Sequence, residues 1–138
     1  MSNGFWQNKT MDILRVSLDA VSLRHKTISN NIANINTPNY KRQLVNFEEE
    51  LGKYLFNSQK NTPLKKTNPQ HITYENRDYS VIKPEVREDK AILRTDGNNV
   101  DIDLELSILA ENTVKFNVLS QTINEKFSKL KSVIRGGR

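Results

Sequence analysis

Residues 99–135 read NVDIDLELSILAENTVKFNVLSQTINEKFSKLKSVIR. Within this stretch Ile102, Leu106, Leu109, Thr113, Phe116, Ser120, Ile123, Phe127, Leu130 and Ile134 follow one another at alternating spacings of four and three. That period is the seam of a coiled-coil-like helix, and only Thr113 and Ser120 depart from apolar character. Val100, Ile102, Leu104 and Leu106 also alternate with acids, as a strand would, but the helical period runs on to Ile134 and decides for helix over about Asn99–Arg135. The charges agree: residues 96–111 carry five acids and no base, while 112–138 carry six bases and one acid. Acid first and base last suits the helix dipole. Asp96, Gly97, Asn98 and Asn99 supply turn and N-cap chemistry ahead of it, and Gly136-Gly137 a stop behind it.

Working outward, the N-terminal region carries the same signal. Leu14, Leu18, Val21, His25, Ile28, Ile32 and Ile35 give spacings of four and three over a helix expected at about Met11–Asn36. Asn and Ser fill its outer face toward the end, which is poor helix-forming material, so this helix is expected to lean on a partner. Thr37-Pro38 must end it, because proline cannot continue the ladder. All four prolines lie between these helices. There, Asn46–Phe56 predicts a short helix, with Asn46 and Glu49 spaced as a capping box and Phe47, Leu51, Tyr54 and Leu55 on one face. Residues 58–95 read as an extended excursion or a β-hairpin.

The expected fold is mainly α: two long terminal helices forming a coiled-coil-like pair, a short helix, and a largely extended, β-poor middle. The expected divisions are 1–40, 41–95 and 96–138. The two seams should pair with each other or with equivalent helices of other subunits.

Composition narrows the function. The chain has 138 residues and only 36% hydrophobic residues, with a mean hydropathy of −0.68. That is below the roughly 45–50% apolar share of ordinary globules, so a core completed by neighbours is expected. The absence of cysteine excludes a disulfide scaffold, a thiol nucleophile and Cys-ligated zinc. No apolar run is long enough for a membrane span, and Met1–Thr10 has no signal-peptide h-region. The net charge of +5 is spread as +2, +3 and 0 over residues 1–40, 41–95 and 96–138, which gives no nucleic-acid-binding arm. His25 reads as a polar register-setter in the seam, and His71 as a loop residue with no metal-binding companion. Glu48-Glu49-Glu50 reads as a solvated helix start. No catalytic, metal or cofactor site is expected, and no enzyme activity. Phe5 and Trp6 read as a staple on the first helix, a partner contact or a contact with a membrane surface.

The end of the first helix, Ser29-Asn30-Asn31-Ile32-Ala33-Asn34-Ile35-Asn36-Thr37-Pro38-Asn39-Tyr40-Lys41, resembles the NNIAN-x-x-TPGY signature of the bacterial flagellar rod, hook and hook-associated axial proteins. Val45–Glu48, Thr67–Ile72, Thr95–Asp101 and Lys126–Leu130 leading to Ile134–Gly137 resemble the small proximal rod members of that family. One departure is Asn39, where the signature has glycine; Asn is the non-glycine residue most tolerant of positive φ. The signature residues here are Asn30, Asn31, Ile32, Ala33, Asn34, Thr37, Pro38 and Tyr40. Their amides gain little net in water, so close packing in an assembly is the expected reward for them.

The resemblance implies a structural, non-catalytic rod subunit in the periplasm, exported by the flagellar type III apparatus without a cleaved signal. It implies helical assembly through the terminal helices around the export channel, with a part in torque transmission. Implied partners are further copies, other rod proteins, and the junction protein at the inner-membrane ring and export gate. A cytoplasmic coiled-coil adaptor or chaperone shares the seams but leaves the Asn-rich helix end unexplained.

Overall fold

A computed structural model of the chain describes residues 9–56, 81–91, 95 and 97–136. The order is α1 (Lys9–Ala33), β1 (Gln43–Asn46), α2 (Glu48–Phe56), β2 (Glu85–Glu88) and α3 (Ile102–Ile134). The fold is mainly helical, as expected. The readings placed on Phe5 and Trp6, His71, Asp96 and Gly137 lie outside the described residues.

α1 starts two residues before the expected Met11 and stops three before Asn36. Its end tightens: the Asn34 N–H bonds the carbonyls of Asn30 and Asn31 (both 3.1 Å), and the Ile35 N–H bonds that of Ile32 (3.3 Å). α3 starts at Ile102 rather than Asn99, because Asp101 takes the N-cap and its carboxylate accepts the N–H groups of Asp103 (3.0 Å) and Leu104 (3.4 Å). α2 starts at Glu48 rather than Asn46, whose backbone belongs to β1. The Asn46 amide still donates to Glu49 (3.2 Å). No strand at 43–46 was expected. Its partner is β2, antiparallel, with Gln43 opposite Glu88 and Asn46 opposite Glu85, so the sheet joins two distant segments.

α1 and α3 run antiparallel: Asn98 meets the end of α1 at Asn34 and Ile35, while Asn112 meets Val21. α3 rises roughly 50 Å against roughly 37 Å for α1, at about 1.5 Å per residue. A small core forms where Val16 and Ala20 of α1 meet Phe47 and Ile82. Leu51, Tyr54 and Leu55 of α2 pack against it, along the face expected for them. α1 buries Leu14, Val21 and Ile28 from its seam. Leu18, Ile32 and Ile35 are partly buried, and His25 is exposed.

α3 departs from simple seam-to-seam pairing. Its only buried residues are Glu105 and Asn112. In heptad terms, with Leu106 at a and Leu109 at d, both sit at g, one step to the side of the apolar stripe. The line of contact with α1 has therefore moved sideways. Two of the d residues border it: Leu109 and Ile123 are partly buried. Ile102, Leu106, Phe116, Phe127, Leu130 and Ile134 remain exposed, from 42% at Ile102 to 84% at Ile134.

Candidate functional site

Two features are candidates: a polar joint where α1, β1 and the start of α3 meet, and the open stripe of α3.

The joint is built from asparagine amides. Asn31 is fully buried; its amide nitrogen donates to the Gln43 carbonyl (2.8 Å), and its oxygen accepts the Gln43 N–H (2.9 Å) and the Tyr40 hydroxyl (3.2 Å). It acts as a one-residue strand pairing for β1. Asn98, also fully buried, shares its amide donors among the carbonyls of Asn34 (3.0 Å), Ile35 (3.0 Å) and Thr37 (2.9 Å) in the turn that follows α1; the Asn34 and Thr37 carbonyls also accept the N–H groups of Thr37 (3.0 Å) and Tyr40 (3.3 Å). Its oxygen accepts the Val100 N–H (2.8 Å). Asn99 accepts the Arg42 N–H (2.6 Å) and donates to the carbonyls of Asp89 (2.8 Å) and Ala91 (3.0 Å). Asn34 donates to the Asn30 carbonyl (2.8 Å) and accepts the Thr37 hydroxyl (3.2 Å). Asn30, Ala33, Thr37 and Pro38 are exposed.

These bonds revise one expectation. The side-chain amides of Asn31 and Asn34 are satisfied within the chain, by Gln43 and Tyr40 and by the Asn30 carbonyl and Thr37 hydroxyl, so their hydrogen bonding does not await a neighbour. Nor do Asn98 and Asn99 serve as the α3 cap; they fasten α1 and the middle segment to it.

Asn39 has φ +60°, the conformation for which a glycine would be the easy choice. It lies against Gly97, whose φ is +79°, and a Cβ on Gly97 would meet the Asn39 Oδ1 at 2.7 Å. Lys41 Nζ also holds the Gly97 carbonyl (2.6 Å). Gly97→Ala should therefore lower stability by about 1–3 kcal/mol, whereas Asn39→Gly should change it by less than about 1 kcal/mol. Urea titration of the two variants checks the contrast.

An ion pair that sequence reasoning missed closes the joint. Arg42 Nε donates to Glu105 Oε1 (2.5 Å) with both side chains almost fully withdrawn from water, and Asp89 lies 3.7 Å from the same guanidinium. Glu105 Oε2 has no hydrogen-bond partner. Burial pushes the Tyr40 hydroxyl above its ordinary pKa, helped by the charges of Glu105 and Glu88. A second pair, Arg24 with Glu48 (2.7 and 2.5 Å), ties α1 to the start of α2; this bond holds the Glu48 carboxyl below the usual range. A signal for the first pair was present: Glu105 and Asn112 are polar and seven residues apart, so they share one helix face.

The chemistry of this site is packing. Among the described residues no cluster of His, Asp or Glu could hold a metal ion, and no helix is long and apolar enough to cross a membrane. A shallow groove at the α1–α3 contact, about 220 Å³, is lined by Ser22, His25, Asn112, Thr113 and Phe116 and holds no catalytic set.

The family model described as "Flagella basal body rod protein" matches residues 16–41, most of α1 and the turn that follows it. The likeness extends far beyond that segment. Flagellar basal body rod protein FlgB of Borreliella burgdorferi is 36% identical over 130 residues, covering 92% of this chain and 96% of that one. FlgB of Bacillus subtilis is 35% identical, covering 94% and 95%. FlgB of Salmonella typhimurium is 29% identical, covering 90% and 94%. The chain belongs to the FlgB family of flagellar basal body rod proteins.

Proposed function

We infer that the chain is a structural subunit of the flagellar basal-body rod whose α3 seam is completed by neighbouring subunits. The observation that carries this is the sideways shift of the α3 contact. Leu106, Phe116, Phe127 and Leu130 are each about half exposed, while polar Glu105 and Asn112 are buried in their place. In a monomer that arrangement leaves apolar area in water and forgoes about 25 cal/mol per Å². An assembly recovers it.

On this reading the seam consists of Leu14, Leu18, Val21, Ile28, Ile32 and Ile35 on α1, and of Ile102, Leu106, Leu109, Phe116, Ile123, Phe127, Leu130 and Ile134 on α3. Residues 1–40 and 96–138 form the inner, axially packed layer around the export channel, and residues 41–95 face outward. Identical subunits in heterologous contact give an open helical array. The rod lies in the periplasm; the chain reaches it through the flagellar type III apparatus, meets the ring-junction protein and the next rod protein, and carries torque without catalysis. Composition and fold agree with a non-enzymatic part.

Leu106→Asp and Phe127→Asp test the reading at exposed positions. Each should leave the stability of the free chain within about 0.5 kcal/mol of wild type, as exposed sites do. Each should also abolish swimming and remove the chain from purified basal bodies. Normal motility in both variants would refute the seam assignment.

A further inference from the structure

We propose that the last three turns of α3 dock an amphipathic helix of another rod subunit, one whose apolar seam is flanked by carboxylates; this rests on the rod reading above. Ile123, Phe127, Leu130 and Ile134 make a narrow a/d stripe there, and all but Ile123 are exposed. Lys126 at g and Lys131 at e stand on its two sides, with Lys129 and Arg135 further round and Glu125 the sole acid. Residues at e and g choose partners, by accepting opposite and rejecting like charge across the seam.

The chain's own helices do not supply that partner: in α2 the acids Glu48, Glu49 and Glu50 pair with Arg24 and Lys53, and its apolar residues Leu51, Tyr54 and Leu55 pack on the core. The e and g positions of α1 are Thr10, Arg15, Ser17, Ser22, Arg24, Ser29 and Asn31, with no acid. Asp12 and Asp19 point elsewhere, at b. In the first turns of α3 the flanking acids are Asp103 and Glu105, and Glu105 is already buried against Arg42. A second copy therefore offers one free flanking carboxylate where two lysines need pairing. A membrane surface fits less well, because interfacial helices present a broad apolar face and this stripe is only a seam wide.

Photocrosslinking in basal bodies tests the proposal. Val133→p-benzoylphenylalanine places the probe at an exposed position, 77% accessible, beside the stripe. The expected product joins residue 133 to a helix of a different axial protein carrying Asp or Glu on both flanks of its seam. Adding Lys126→Glu and Lys131→Glu should reduce that product at least about fivefold, equivalent to about 1 kcal/mol, and Lys126→Arg with Lys131→Arg should preserve it. A product with a second copy of this chain, with lipid, or with a helix lacking flanking acids overturns the proposal. So does a product indifferent to charge reversal. Absence of the unaltered chain from basal bodies would instead refute the rod reading, and the proposal with it.

Discussion

Glu105→Ala should destabilise the free chain by about 3–5 kcal/mol, the usual cost of leaving one member of a buried ion pair alone. Glu105 is 1% exposed and Arg42 is 9% exposed, so truncation strands the guanidinium in the joint with only Asp89, 3.7 Å away, to offset it. That loss is a large part of the roughly 5–15 kcal/mol that stabilises ordinary domains, and the core here is small. The expected urea curve is one whose cooperative transition moves to much lower denaturant or disappears. The double variant Arg42→Met, Glu105→Leu separates pairing from burial. It removes both charges, keeps volume, and should recover most of the loss or exceed wild type, as apolar replacements of buried pairs often do. If Glu105→Ala costs under about 1 kcal/mol, the pair is solvated and the joint is looser than described.

The second large effect is expected at Asn98. Asn98→Ala removes donors from three carbonyls at the end of α1 and an acceptor from the Val100 N–H. The Asn34 and Thr37 carbonyls keep the N–H groups of Thr37 and Tyr40, but the Ile35 carbonyl loses this donor and the buried Val100 N–H its acceptor, and buried unsatisfied polar groups cost about 1–3 kcal/mol each before relaxation. A loss of about 2–4 kcal/mol is expected after relaxation. Asn98→Asp is the sharper comparison, because it keeps the shape and the bond to Val100 but turns an oxygen toward three carbonyl oxygens. It should be at least as damaging as alanine. A mild Asn98→Asp would mean that Asn98 fills space and does not cap α1. Thermal unfolding by circular dichroism reads both.

The joint links sequence to assembly. Asn31 fixes β1 against α1, Asn98 fixes the start of α3 against the end of α1, and Arg42–Glu105 fixes α3 about its own axis. The rotation of α3 decides which stripe faces outward. Polar groups thus hold the open seam in position.

What was legible in the sequence follows from periodicity. The two long helices came from uninterrupted four-and-three spacing, and the short helix from its apolar face, because those patterns are local. The tolerance of Asn39 for positive φ was legible too, since it is a property of one residue type. The pairing face of α3 was not. The heptad marks where apolar residues lie, but the intramolecular contact was set by Glu105 and Asn112, whose partners Arg42 and Val21 are 63 and 91 residues away in the chain. The β1–β2 pair was missed for a similar reason, as Gln43–Asn46 is short and Glu85–Glu88 is highly charged, so neither advertises a strand. The asparagines were recognised as a motif, but their targets are backbone atoms that only the folded chain brings near.

The central claim is that the exposed stripe of α3 is closed by neighbours in the rod. The natural absence of cysteine makes it directly measurable, since Phe116→Cys introduces a single thiol into an otherwise unreactive chain. Its maleimide labelling rate in the free protein, compared with that in intact purified basal bodies, reads the closure. The expected result is ready labelling of the free chain and labelling slower by roughly tenfold or more in basal bodies, where opening would have to precede reaction. Equal labelling rates in the two states, or basal bodies that lack the chain, would contradict it.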